Sequence, residues 1–402
     1  MRIAVIGGGA SGMATAYLLD RQGHGVTVFE RQPMLGGHIR TLNKNVQPNV
    51  ADCDQILEGG VLEFPTAFRH FITLMEELEV ELVPVQVGSM LLSARDRRFS
   101  KVAIANNFTG VQRWIETLRF QSIYAHSALL WFKSRFATVQ NVDQRSLGNY
   151  LDQRLGSLWL KLLILYSYSM PLELIDDFPA QLAIPMLRDY LTVGWLRVKG
   201  GVYHYIEKIL ERFRGEIQIS SEIAHIFRSP EGVKIEQLNG ETQEFDKVVF
   251  ATPPDQVLAL LANPTEAELS YFSSWKANDV ITTVHTDCSI YQHYNLHHPS
   301  EFDFVQCGER WGYHGYLNQL CGLSSAQPYF LSFQLEDCLN RDRIIHQQLH
   351  HTPHYTTEAF RYRDQVIAMN GEYHTYHAGA YLGDGLHEGA ITSAFRVAQL
   401  VG

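Results

Sequence analysis

The clearest pattern of apolar and polar positions lies at the start of the chain. The apolar run over residues 2–6 reads as a strand, a glycine turn follows, and Met13, Ala16, Tyr17 and Leu18 then recur at helical spacing. Gly25-Val-Thr-Val-Phe-Glu30 supplies a second apolar strand, so residues 2–30 predict a strand, helix, strand unit. Residues 64–80 place Phe68, Phe71, Ile72, Met75 and Leu78 on one helical face, and 80–87 alternates as a strand does. The apolar stretch 158–170 carries Lys161, stops at Pro171 and falls short of the roughly 20 residues a membrane span requires, so it reads as a buried helix. A membrane-surface role for it is the lesser reading.

Residues 105–195 read as mainly helical and aromatic, which marks an inserted lobe. Strands are expected over 217–226 and 233–238, with Asn239-Gly240 turning into a third short segment. The run 245–254 reads as a buried strand ending in a sharp loop, returning to the sheet of the first lobe. The expected division is 1–89, 196–261 and 346–402 for one lobe, with 90–195 and 262–345 for the other. No internal repeat interrupts this weave.

Composition narrows the function classes. A chain of 402 residues is long enough for two lobes with real cores, and 46% hydrophobic with 19% charged residues is the balance of a folded globular protein. The net charge of -10 repels phosphate backbones and anionic lipid, which argues against nucleic acid as a partner. Five cysteines (Cys53, Cys288, Cys307, Cys321, Cys338) offer neither a CxxC metal site nor a dense disulfide framework, and a reducing cytoplasm is expected. The N-terminus lacks the pattern of a signal peptide, so none is expected to be removed.

Three glycine-rich segments carry the chemistry. Gly7-Gly8-Gly9-Ala10-Ser11-Gly12 fits G-x-G-x-x-G between a strand and a helix. Gly7 permits the tight turn, Gly9 lets backbone N–H groups approach a pyrophosphate, and Gly12 lets the helix pack on the strand. Glu30 lies 18 residues beyond Gly12, near the spacing at which an acid accepts hydrogen bonds from ribose hydroxyls. An adenine dinucleotide is implied. Leu35-Gly36-Gly37-His38-Ile39-Arg40-Thr41 adds backbone donors beside the phosphates and tilts the choice to FAD. Near the far end, residues 376–390 hold Gly379, Asp384, His387 and Glu388 between a strand ending near Gly379 and a helix beginning near Glu388. That arrangement directs backbone N–H groups at a flavin ring.

These motifs resemble the FAD-dependent amine oxidase and phytoene desaturase-like superfamily, the two-dinucleotide-binding-domain flavoproteins, and most closely its branch of predicted NAD/FAD-binding proteins. The Gly36-Gly37-His38 variant, Trp195 to Gly201 (W-x-x-x-x-G-G, resembling the family's W-x-x-x-G-G element), Tyr316-Leu-Asn318-Gln-Leu and the Gly379-Ala-Tyr and His387-Glu388 elements carry that likeness. The resemblance implies an α/β fold, a Rossmann-type FAD-binding domain with an interleaved α+β substrate-binding cap. It implies cofactor contacts from Gly7, Gly9, Ala10, Ser11, Gly12, Glu30, Arg31, Gly36, Gly37, His38, Ile223, Ala251, Gly379, Asp384, His387 and Glu388. FAD is expected to be noncovalent, since no cysteine stands in the C-terminal motif for a thioether link, with attachment through a histidine as the open alternative. The implied chemistry is hydride transfer from an apolar amine or lipid-like substrate to flavin N5, with O2 or another acceptor reoxidising the ring.

Candidate general bases are Lys276 and His314, and Tyr316, Asn318 and Trp195 are candidate substrate contacts, with Tyr166, Tyr168, Tyr190 and Tyr203 as further cavity walls. His346, His350, His351 and His354 include an i, i+4 pair on an expected helix, read as an exposed polar face rather than a metal site, and His293, His297 and His298 suit a loop. Two other functions fit the same motifs: a flavin-dependent isomerase or mutase without net redox change, and a noncatalytic FAD-binding protein.

Overall fold

The computed structural model describes residues 1–50, 53–86, 88–93, 98–102, 110, 111, 114, 118, 125, 145–151, 155–190, 193–293, 296 and 299–402. Much of the expected 90–195 lobe, with His297 and His298, lies outside the described residues.

Five strands from distant parts of the chain form one parallel sheet, in the order Thr375–His377, Lys247–Phe250, Arg2–Ile6, Gly25–Phe29, Glu216–Gln218. Their apolar runs show little polar alternation because both faces are covered. Ile3 and Val5 pack with the helices Ala10–Arg21, Arg69–Glu77, His204–Arg212 and His387–Val401, through Leu19, Phe71, Ile209 and Ile391. Ala4 and Ile6 belong to the core on the opposite side, with Ile226, Val233 and Phe245 of the antiparallel meander Ile223–Ser229, Gly232–Gln237, Thr242–Phe245. The run 245–254 does return to the first sheet, where Lys247–Phe250 pairs with the first strand.

The second lobe is built on a seven-stranded sheet, ordered Ile344–Pro353, Ala277–His285, Phe330–Phe333, Arg310–Tyr316, Phe302–Cys307, Ser89–Ser93, Arg98–Val102. The helix Leu155–Tyr168 packs on it, with Tyr166 stacked on Phe302 at 4.3 Å between centroids and Trp159 edge-on to Phe304. A small sheet of Phe64–Pro65, Trp195–Val198 and Leu82–Val85 joins the lobes.

Several expectations need correction. The expected boundary at 346 falls inside a strand, because Ile344–Pro353 pairs along its length with Ala277–His285, and the one at 90 falls inside Ser89–Ser93. Residues 346–353 therefore belong to the second lobe. The histidine cluster lies mostly on this strand rather than on a helix, and His346 and His350 are buried. Residues four apart share a face in either element, so the spacing alone did not distinguish them. The expected helix over 64–80 is Arg69–Glu77, since Phe64–Pro65 is taken by the pairing with Trp195 and Leu196. The expected strand over 217–226 is two strands in different sheets.

Cys307 and Cys338 form a disulfide that ties the strand end at Cys307 to the turn after Phe333. Among the described residues no helix is long and apolar enough to cross a membrane.

Candidate active site

One cavity of about 650 Å³ opens along the carboxyl ends of the parallel strands, and all three glycine segments line it. Gly36 N–H donates to the Gly8 carbonyl at 2.8 Å, and a β-carbon on Gly37 would sit 2.9 Å from the Gly9 Cα, so the first two segments meet backbone to backbone. Gly7 adopts φ +108°, with Ala251 O 2.7 Å from where its β-carbon would lie. Gly12 does not line the cavity; its β-carbon would fall 1.9 Å from the Gly7 carbonyl, so it serves the close packing of helix on strand.

The residues present fit a flavin dinucleotide. Gly9 caps the first helix without any side-chain hydrogen bond, leaving first-turn N–H groups directed to a phosphate. Arg40 is buried beside them with its Nε unpartnered, an arrangement that a diphosphate would complete. Glu30 accepts from the N–H of Gly8 at 2.7 Å and of Gln32 at 2.8 Å, and keeps lone pairs for ribose hydroxyls. Arg31, Ser221 and Ile223 continue that end of the cavity; Ala10, Ser11, His38 and Ala251 line its middle, and Gly379, Ala380, Leu386 and His387 its far end. Burial lowers the His387 pKa to about 3, so the ring is neutral, hydrogen-bonded to Tyr205 at 2.8 Å and edge-on to Phe64 and Phe71.

Asp384 and Glu388 stand apart from the cavity lining. Asp384 caps the last helix, accepting from the N–H groups of Leu386 and Gly389 at 2.9 and 2.8 Å and from the Tyr190 hydroxyl at 2.8 Å. Burial raises its pKa. Glu388 is turned about 100° from His387 on that helix and accepts from the backbone of His70 and Phe71 instead.

Beyond the glycine segments the cavity widens into an aromatic chamber walled by Tyr166, Tyr168, Trp195, Tyr313, Tyr355 and Tyr381. Tyr190 and Tyr203 are not in its wall. Neither candidate base lines it: Lys276 is exposed, and His314 is fully buried inside the sheet, 3.1 Å from Ser332 Oγ, its pKa driven well down by burial. Tyr316 packs on Phe330, and Asn318 spends its amide on Ser325, Gln327 and Tyr329 backbone, bracing a loop rather than facing substrate.

Residues missed from the sequence are Glu63, Thr282, His350, Tyr313, Tyr355 and Tyr381, all in the lining. His350 Nε2 lies 2.9 Å from Thr282 Oγ1 and 3.0 Å from the Gly59 carbonyl, and burial lowers its pKa to about 3. Glu63 carried a readable signal, a lone acid within the apolar run Val61-Leu62-Glu63-Phe64-Pro65. Among the described residues no group of His, Cys, Asp and Glu is placed to hold a metal ion.

Fold and cradle together define a dinucleotide-binding α/β protein with a substrate cap. The chain belongs to the flavin-containing amine oxidoreductases, whose family model matches residues 10–281, and FAD is the cofactor this membership and the cradle specify. It is 23% identical over 283 residues to 4,4'-diapophytoene desaturase (4,4'-diaponeurosporene-forming) of Staphylococcus aureus strain Newman, over 62% of this chain and 54% of the desaturase. The chain thus spans about half the length of the curated relatives it matches. Among solved structures, wild-type putrescine oxidase bound to putrescine superposes with a TM-score of 0.71 at 15% identity, covering 100% of this chain and 99% of the oxidase. A CLA-producing fatty acid isomerase from P. acnes gives 0.67 at 16% identity, covering 100% and 97%.

Proposed function

We propose that this chain is an FAD-dependent oxidoreductase that oxidises or desaturates an apolar organic substrate, an amine or a lipid-like chain. The observation that carries this reading is the continuity of one cavity from Glu30, past the three glycine segments, into a chamber of tyrosines and Trp195. FAD supplies, when bound, a hydride acceptor for a C–H bond held against its ring. Arg40 and the first helix hold the diphosphate, while Tyr166, Tyr168, Trp195 and Tyr313 exclude water and orient an apolar body. No titratable side chain from the original base candidates is needed at the chamber; the chain's role is position.

The electrons pass on to O2 or another acceptor. Anaerobic mixing of the purified protein with amines and with unsaturated lipids tests the proposal. Bleaching of the flavin absorption by one class supports it. Conversion of a lipid without any bleaching supports an isomerase instead, a reading to which the fold likeness to the fatty acid isomerase lends weight.

A further inference from the structure

Two buried carboxyl groups meet at the wall of the aromatic chamber. Glu63 lines the cavity and accepts from the Tyr166 hydroxyl through Oε1 at 2.8 Å. Glu301, 1% exposed, precedes the strand Phe302–Cys307 and accepts from the Gly88 N–H through Oε2 at 3.1 Å. The remaining oxygens, Glu63 Oε2 and Glu301 Oε1, are buried without a partner. The two carboxyl groups are within hydrogen-bond reach of each other, and among the described residues no cation acts on either.

Two ionised carboxylates at contact distance in a buried wall repel and stay desolvated, which disfavours the doubly ionised pair. One proton between the two orphaned oxygens satisfies both at once. Burial raises both pKa values; on Glu301 the neighbouring Glu63 and Asp303 charges add to it and push it to about 12, while the hydrogen bond within the pair favours the ionised form of Glu63. Tyr166 stays protonated, its pKa raised by the same burial, and keeps its hydroxyl on Glu63. The shared proton leaves a net single negative charge facing an otherwise aromatic chamber.

We propose that Glu63, Glu301 and Tyr166 form a proton-sharing recognition site that takes the hydrogen-bond-donating head group of a substrate whose remaining body is apolar. The inference rests on the cavity being the substrate site of a flavoprotein, and it narrows the substrate class that reading allows. Glu63 is the residue that meets the head group; Glu301 and Tyr166 position it and set its charge. A carboxylate head is disfavoured by the charge already present, and a plain hydrocarbon offers no donor to the second lone pair of Glu63 Oε1, which Tyr166 leaves free.

The test uses the flavin-loaded protein, mixed anaerobically with octylamine, 1-octanol and octanoate in a stopped-flow instrument, with the concentration dependence of the rapid flavin spectral perturbation that precedes any bleaching giving each Kd. Octylamine and octanol, which carry donors, bind at least about tenfold more tightly than octanoate; the order of the first two separates an ammonium from a hydroxyl head. Glu63→Gln reduces the octylamine-to-octanoate preference at least about tenfold, whereas Glu301→Gln keeps it, because a glutamine amide still donates to Glu63. A second readout needs no ligand: the infrared difference spectrum between wild type and Glu301→Gln at neutral pH shows the loss of a protonated-carboxyl band. Equal or absent binding of the three probes, an unchanged preference in flavin-loaded Glu63→Gln, or no band difference overturns the inference alone. Wild-type protein that takes up no flavin overturns it together with the proposed function.

Discussion

Gly37 approaches Gly9 so closely that a β-carbon on Gly37 would lie 2.9 Å from the Gly9 Cα, at a backbone φ of +59°. Two segments some thirty residues apart are thus pressed together at the mouth of the first helix. Gly37→Ala is expected to lose flavin and to lower stability by about 1–3 kcal/mol, from left-handed backbone plus contact. Gly9 differs, since its β-carbon would meet Gly37 at ordinary contact distances, Cα at 3.6 Å and N at 3.9 Å. Gly9→Val should fold, with a melting temperature near wild type, yet be colourless; a Gly9→Val protein with normal flavin content would count against the phosphate cradle.

Glu58 gives a pH prediction. Its carboxylate accepts from the Val202 N–H at 2.6 Å and the Thr41 hydroxyl at 2.9 Å, but burial still raises its pKa to about 8. A carboxyl raised in the folded state contributes stability fully present below its unfolded value, near 4.5, that is lost as pH rises through about 8. The wild type should therefore lose on the order of a few kcal/mol relative to Glu58→Gln between those limits. Thermal unfolding of both proteins across that range checks it. Parallel curves would remove Glu58 as the source.

Asp384 is expected to act on stability rather than on cofactor chemistry. Asp384→Ala removes the cap of the last helix and the partner of the Tyr190 hydroxyl, for about 1–2 kcal/mol. Flavin stoichiometry at low temperature should stay near wild type. Flavin loss without a fall in melting temperature would place Asp384 at the cofactor.

Lys276 lies exposed and outside the cavity lining. Lys276→Met is accordingly expected to bleach with substrate at the wild-type rate within about twofold, a difference of under about 0.5 kcal/mol. A rate lowered a hundredfold, measured by stopped flow, would return it to the site.

The cofactor half of the site was legible in the sequence because glycine at a positive φ and the strand, turn, helix order are local properties. Gly7, Gly36 and Gly37 all adopt positive φ, and Gly379 and His387 join them in one cavity through the parallel sheet. Of the substrate half only the walls Tyr166, Tyr168 and Trp195 were legible, for the rest is assembled by long-range pairing. Glu63 and Glu301 meet across 238 positions of sequence, and Tyr313 and Thr282 reach the chamber from strands whose periodicity says nothing about which face is empty. Lys276 before a strand and His314 in an aromatic segment are readable as bases, and Asp384 and Glu388 as cofactor contacts within the C-terminal motif, but sequence position does not show which way a side chain turns. A helix turns neighbouring side chains to different sides, and His387 and Glu388 show it. The histidines from 346 to 354 failed for the opposite reason, since spacing by four fits both periods.

Three separate glycine segments line one cavity whose shape and donors fit a flavin dinucleotide. Heat release of bound cofactor from the purified protein, with chromatographic identification and quantitation against protein concentration, tests it most directly. About one FAD per chain is the result the geometry requires; a colourless protein that neither releases FAD nor takes it up when the cofactor is supplied in excess would contradict it.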